Sequence, residues 1–79
     1  MRLDKFLKVS RIIKRRTIAN DACDAGRVSI NDKVARASAN VAVGDVIEIK
    51  FGANTQKVEV LSLSEHVRKE EAAGMFKIL

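Results

Sequence analysis

Seventy-nine residues, 47% hydrophobic and 32% charged, provide for a single hydrophobic core in a globular rather than a disordered chain. One cysteine and one histidine exclude an internal disulfide and a structural zinc site, and no apolar run approaches the ~18 residues of a membrane span. The net charge of +5 is confined to the first third: residues 1–27 carry eight basic and three acidic side chains, whereas 28–79 carry seven of each. That asymmetry is the mark of a polyanion-binding face on an otherwise neutral domain.

Leu3, Phe6, Leu7 and Ser10 fall at the i, i+3, i+4 and i+7 positions of a short amphipathic helix, whose other face carries Asp4, Lys5, Lys8 and Arg11. Asp4 lies in the first turn, where a carboxylate favours the helix dipole. After Ile12 and Ile13, the run Lys14-Arg15-Arg16 marks a bend before a second helix over 16–25. Ile18, Ala19, Ala22 and Cys23 form the apolar side of that helix, and Gly26 follows its last turn, where a glycine can take the left-handed conformation that ends a helix. No Ser, Thr, Asp or Asn precedes Arg16, so three cations crowd the positive end of the helix dipole. A local conflict of that kind is characteristic of a functional site.

Beyond Gly26 the apolar period becomes two. Val28 and Ile30 belong to a first strand, Asn31-Asp32 to a turn, and Lys33-Val34-Ala35 to a returning strand. Val46, Ile47, Ile49 and Phe51 form a third strand after the Gly44-Asp45 turn. The stretch Gly52-Ala53-Asn54-Thr55 connects it to a partner strand containing Val58, Val60, Leu61 and Leu63. From Val67 the helical period returns, with Ala72, Met75, Phe76 and Leu79 on one face. The expectation is an α+β fold: two N-terminal helices packed on a small, twisted, mostly antiparallel sheet, and a short C-terminal helix. Residues 1–63 make the domain proper and 64–79 its helical extension.

Catalysis has little to work with. A nucleophile needs a base within hydrogen-bond reach, and Cys23 and His66 stand far apart in sequence. Cys23 lies on the apolar side of a helix, where a thiol behaves as a small hydrophobe. His66, beside Glu65 and Arg68, has the setting of a solvated surface residue. Glu70 and Glu71 are adjacent and diverge by about 100° on a helix, which rules them out as a carboxylate pair flanking one bond. The four glycines stand singly, so there is no Gly-rich phosphate cradle. A binding protein without enzymatic activity, cofactor or metal is expected.

Four motifs in order, Arg2-Leu3-Asp4-Lys5-Phe6-Leu7, Lys14-Arg15-Arg16-Thr17, Ala25-Gly26-Arg27-Val28-Ser29-Ile30-Asn31 and Val43-Gly44-Asp45-Val46-Ile47, resemble the S-four RNA-binding domain, typified by ribosomal small-subunit protein four. The resemblance spans residues 1–51. The chain looks like a free-standing member of the family and is similar to the small heat-shock ribosome-binding group. The Arg-Leu-Asp-Lys-Phe-Leu-Lys start, the basic corner and the Lys-Glu-Glu-Ala-Ala tail bring it closest to the ribosome-quality-control factors of the RqcP family. Two positions depart from the family pattern: Asp32 stands where Gly often follows Asn, and Arg15 where a Ser or Thr is common.

What the resemblance implies is binding to the large ribosomal subunit while it holds peptidyl-tRNA. The implied contacts are with large-subunit rRNA and tRNA together, alongside the tailing factor RqcH as alanines are added to a stalled nascent chain. The family's RNA contacts carry over to Arg2, Lys5, Lys8, Arg11, Lys14, Arg15, Arg16 and Arg27. The chain is expected to be cytoplasmic, away from membranes, and a monomer off the ribosome.

The residues themselves point the same way. Arginine pairs its planar fork with phosphate oxygens. With no Tyr or Trp and with Phe6, Phe51 and Phe76 at core-like positions, stacking platforms for single strands are absent from the sequence pattern. Recognition of structured RNA by backbone and shape is therefore expected. Two other readings stay open at this level: a general rRNA-binding protein in subunit assembly, and a protein-interaction module docking through its C-terminal helix.

Overall fold

Apolar spacing places two short helices first, α1 (Leu3–Val9) and α2 (Arg16–Asp24), ahead of a continuous antiparallel sheet. The computed structural model describes all 79 residues, Met1–Leu79. The strands are β1 (Val28–Ile30), β2 (Lys33–Val34), β3 (Val46–Phe51), β4 (Asn54–Val60) and β5 (Phe76–Ile78), in the spatial order β2-β1-β3-β4-β5. Every neighbouring pair is antiparallel. A 3-10 helix, Lys69–Met75, leads into β5.

The period-two alternation sets the register. Ile47 and Ile49 of β3 and Val58 and Val60 of β4 are buried, while Glu48 and Lys57 meet on the opposite face. Leu3, Phe6 and Leu7 of α1, Ala19 and Cys23 of α2, Val28 of β1, Ile13 and Met75 share the core with these four residues. Ala37 and Val41 seal its edge from the β2–β3 connection, which also holds the N-terminus: Leu3 N–H donates to the Ala39 carbonyl at 2.8 Å, and Val41 N–H to the Met1 carbonyl at 2.8 Å.

Gly26 ends α2 at φ +80. The Arg27 N–H reaches the Ala22 carbonyl and the Gly26 N–H the Cys23 carbonyl, both at 3.0 Å, which is the Schellman pattern that a left-handed residue closes. The position following the C-cap of α1 is also left-handed, but there the residue is Arg11, at φ +63. A side chain in this conformation costs roughly 1–2 kcal/mol that glycine avoids.

Five expectations are corrected. The C-terminal helical pattern extends through Leu79 in the sequence, yet helix ends at Met75, and Phe76 and Ile78 instead pair with Val60 and Val58. The open edge of β4 takes up the chain as a fifth strand, a tertiary capture that period alone does not encode. Ile18 is 53% exposed, because α2 turns only the narrow Ala19–Cys23 line fully into the core. Phe51 is 42% exposed; it lies at the end of β3, beyond the part of the sheet that the helices cover. The β3–β4 hairpin is also tighter than the four-residue connection expected, since Phe51 already pairs with Asn54, and β4 ends at Val60, leaving Leu61 and Leu63 outside it.

Candidate nucleic-acid interface

Asp4 organises the basic end of the molecule. It sits in the first turn of α1, is only 2% exposed, and accepts the Lys5 N–H through Oδ1 at 2.8 Å, supplying the cap that Arg2 does not. Both its oxygens also face arginine: Arg2 donates from Nε to Oδ1 and from Nη2 to Oδ2, each at 3.2 Å. From α2, Asn20 Nδ2 donates to Oδ2 at 3.2 Å, and Arg16 Nε lies 3.5 Å from the same oxygen. Burial alone pushes this carboxyl up. The hydrogen bonds from Asn20 and Arg2, the Arg16 charge and the Lys5 N–H outweigh it and hold the group below the ordinary carboxylate value.

The consequence is two arginines, the N-cap of α1 and the first residue of α2, aimed by one buried anion. Arg2 and Arg16 remain 48% and 49% exposed, so each has donors to spare for a ligand. Together with Thr17, Asn20 and Asp21 they line a notch of about 400 Å³. The acidic residues of its own helix, Asp21 and Asp24, form no ion pair with Arg16. Asp24 instead accepts the Ala37 N–H at 3.1 Å.

A second group gathers at the other end of α1. Lys8, Arg11 and Lys14 line a cleft of about 370 Å³ whose far wall is Glu65, His66 and Val67. The strained Arg11 is one of its walls, so the backbone cost at that position accompanies a cation held over the cleft. Lys5 stands apart from this group, paired through Nζ with Glu65 Oε1 at 3.1 Å. The Lys5 hydrogen bond and charge hold the Glu65 carboxyl below its ordinary value.

Arg15 is the exposed N-cap of α2, with no side-chain cap bond, between the two clefts in sequence. Arg27 lies elsewhere, beyond the end of α2, beside Lys50. The eight residues singled out from the sequence therefore separate into an Asp4-held pair, a cleft trio, a masked lysine, a free corner arginine and an outlying arginine. Sequence reasoning missed the burial of Asp4, because its partners Arg16 and Asn20 come from the next helix. It also missed Glu65 as the partner of Lys5, sixty residues away. An acidic residue inside a basic run was the available signal for Asp4; none existed for Glu65.

Cys23 is buried and its thiol is pushed up to about 11, by burial first and then by the Asp4 and Asp24 charges. At neutral pH it stays protonated and unreactive. No group of three or more His, Cys, Asp or Glu side chains is placed to hold a metal ion, and no helix is long and apolar enough to cross a membrane.

An N-terminal helix pair presenting arginines, backed by an antiparallel sheet, defines a class of RNA-binding domain, and the comparisons agree with it. The family profile of the S4 domain, the S-four domain of the motifs above, matches residues 1–47. A Bacillus subtilis (strain 168) protein named RQC P-site tRNA stabilizing factor is 53% identical over 79 residues, covering 100% of this chain and 92% of the relative. A Streptococcus pneumoniae protein of the same name is 49% identical over 79 residues, covering 100% and 90%. The trimeric structure of Vibrio cholerae Heat Shock Protein 15 superposes with a TM-score of 0.92 at 28% identity, covering 100% of this chain and 81% of that one. The chain belongs to the S4 domain family, and within it to the group of the RQC P-site tRNA stabilizing factors.

Proposed function

We propose that this chain is a non-enzymatic, cytoplasmic factor that binds the large ribosomal subunit carrying peptidyl-tRNA. It contacts large-subunit rRNA and tRNA with its basic end and supports alanine tailing of a stalled nascent chain alongside the tailing factor RqcH. The observation that carries the reading is the Asp4-held pair of half-exposed arginines, Arg2 and Arg16. Anchored guanidinium groups reach phosphate oxygens with less loss of side-chain freedom than free ones, which suits a rigid, structured RNA. The names of the full-length relatives support the choice of ligand.

Arg2 and Arg16 are the primary contacts in this reading. Lys8, Arg11 and Lys14 form a second one, and Arg15 and Arg27 extend the face. Lys5 contributes only after it leaves Glu65. The test is sedimentation of the tagged chain with large subunits, compared before and after tRNA is stripped from them. Loss of the chain from stripped subunits is the expected result. Equal binding to empty subunits or to isolated rRNA replaces the reading with a general role in subunit assembly.

A further inference from the structure

Phe51 has a half-exposed ring at a place where the surface is both apolar and basic. Strand alternation puts it on the same face of β3 as Ile47 and Ile49, which are 0% and 1% exposed beneath the helices. At Phe51 that cover stops. A groove of about 370 Å³ opens there, with Ile12, Ile18 and Ala22 on the helical side, Phe51 at the sheet end, and Arg27 and Lys50 among its walls.

The charge around this groove has one sign. No carboxylate lines it. The Lys50 N–H is tied to the Arg27 carbonyl at 2.9 Å, so the two cations come from neighbouring backbone. On the helical side, Ile13 leads directly into Lys14, and Ile18 follows Arg16 and Thr17, so the groove adjoins the basic corner. An apolar floor with a flat ring and a wholly cationic rim matches a nucleobase with phosphates on either side. It matches an acidic protein segment less well, since the lining is mostly apolar and only two cations, Arg27 and Lys50, belong to it.

We propose that the groove receives an unpaired nucleobase of the bound RNA, stacked on Phe51, with the flanking phosphates on Arg27 and Lys50. The proposal rests on the reading of this chain as an RNA-binding factor. It adds to backbone and shape recognition a contact that a perfect duplex cannot make, because a base must leave the helix to enter the groove. It also gives Arg27, which lines neither basic cleft, a place in the interface.

Two synthetic RNAs of equal length and charge serve as probes: a stem with one bulged adenosine, and the same stem fully paired. The proteins are wild type, Phe51→Leu, which keeps apolar volume but removes the ring, and Phe51→Trp. The chain has no Trp or Tyr, so the new indole is the sole strong fluorophore. Wild type and Phe51→Trp are expected to prefer the bulged RNA by about five- to 150-fold, the range for one base–aromatic stack. Phe51→Leu is expected to lose that preference while binding the duplex as wild type does, and the bulged RNA alone quenches the indole. The proposal is overturned if Phe51→Leu keeps the preference or the indole emission is unchanged. It is overturned equally if Phe51→Leu binds both RNAs normally yet falls off ribosomal particles, since the groove then holds protein. Failure of the sedimentation test with the bulge preference intact removes the ribosomal reading and leaves this site standing.

Discussion

Asp4 is the side chain on which both geometry and charge at the basic end depend. Its folded carboxyl lies below the ordinary carboxylate value, so it binds fewer protons folded than unfolded in that interval. The stability it contributes is present above an unfolded value of about 4 and is lost as pH falls through the lower folded one. Acid melts of Asp4→Asn should therefore show a flatter decline below pH ~4 than wild type, with lower stability at neutral pH. An unchanged acid limb would mean that Asp4 is not coupled to folding. Arg16→Ala removes one partner but leaves Arg2, Asn20 and the Lys5 N–H on the same carboxylate. The expected loss is about 1 kcal/mol of stability, more than for an uninvolved surface site because a buried anion loses a cation. RNA affinity should fall by about 1.5 to 3 kcal/mol, roughly ten- to hundredfold, for one lost charge-assisted contact. Thermal melts and ribosome pelleting measured on one preparation separate the two effects. Sequence spacing brings Arg16 to the start of a helix, and that placement holds. It does not bring Asp4 and Arg16 together, because the angle at which two helices meet is set by packing.

The elements were legible in proportion to how local their causes are. The Leu3, Phe6 and Leu7 stripe and the Ala19–Cys23 line are properties of single helices, and the alternation of β3 is a property of one strand. By contrast, β5 exists because β4 has an open edge, and Ile18 is exposed because α2 meets the core along a narrow line. Both depend on neighbours distant in sequence. The β1–β2 hairpin lies between these cases. Its two-residue turn holds Asn31 at φ +50 and Asp32 at φ +69, the left-handed pair of a type I′ connection, where Asn-Gly is the favoured sequence. Asn31 secures the turn by accepting the Val46 N–H through Oδ1 at 2.9 Å and donating from Nδ2 to Asp45 at 3.1 Å. Asp32 makes no side-chain hydrogen bond or ion pair in exchange for its strained backbone. Asp32→Gly should therefore raise stability by about 0.5 to 1 kcal/mol, seen as a melting temperature higher by roughly 2–8 °C. An unchanged or lower melting temperature would show that the Asp32 conformation carries no strain.

At the scale of the whole molecule, what matters is how many of the basic charges are available to a polyanion. Eight basic side chains crowd into residues 1–27, but the structure does not leave all of them free. Asp4 offsets one charge of the Arg2–Arg16 pair, and Glu65 offsets Lys5. About six remain, so the logarithm of RNA affinity should fall against the logarithm of salt concentration with a slope of roughly −4 to −6. The masking by Glu65 gives this number an internal check. Glu65 is exposed and lies outside the core, so Glu65→Gln leaves the fold intact while releasing Lys5. The slope should then steepen by about one and affinity should rise most at low salt, where screening is weakest. Lys57→Ala is the matched control: Lys57 sits on β4, ion-paired with Glu48 at 3.8 Å in the electrically balanced part of the chain, and its loss should leave the slope unchanged. Titrations of one structured RNA across a salt series, with wild type and both variants, measure all three slopes. A wild-type slope near zero would remove electrostatics as the source of binding, and equal slopes for wild type and Glu65→Gln would show that Lys5 does not face the RNA even when freed.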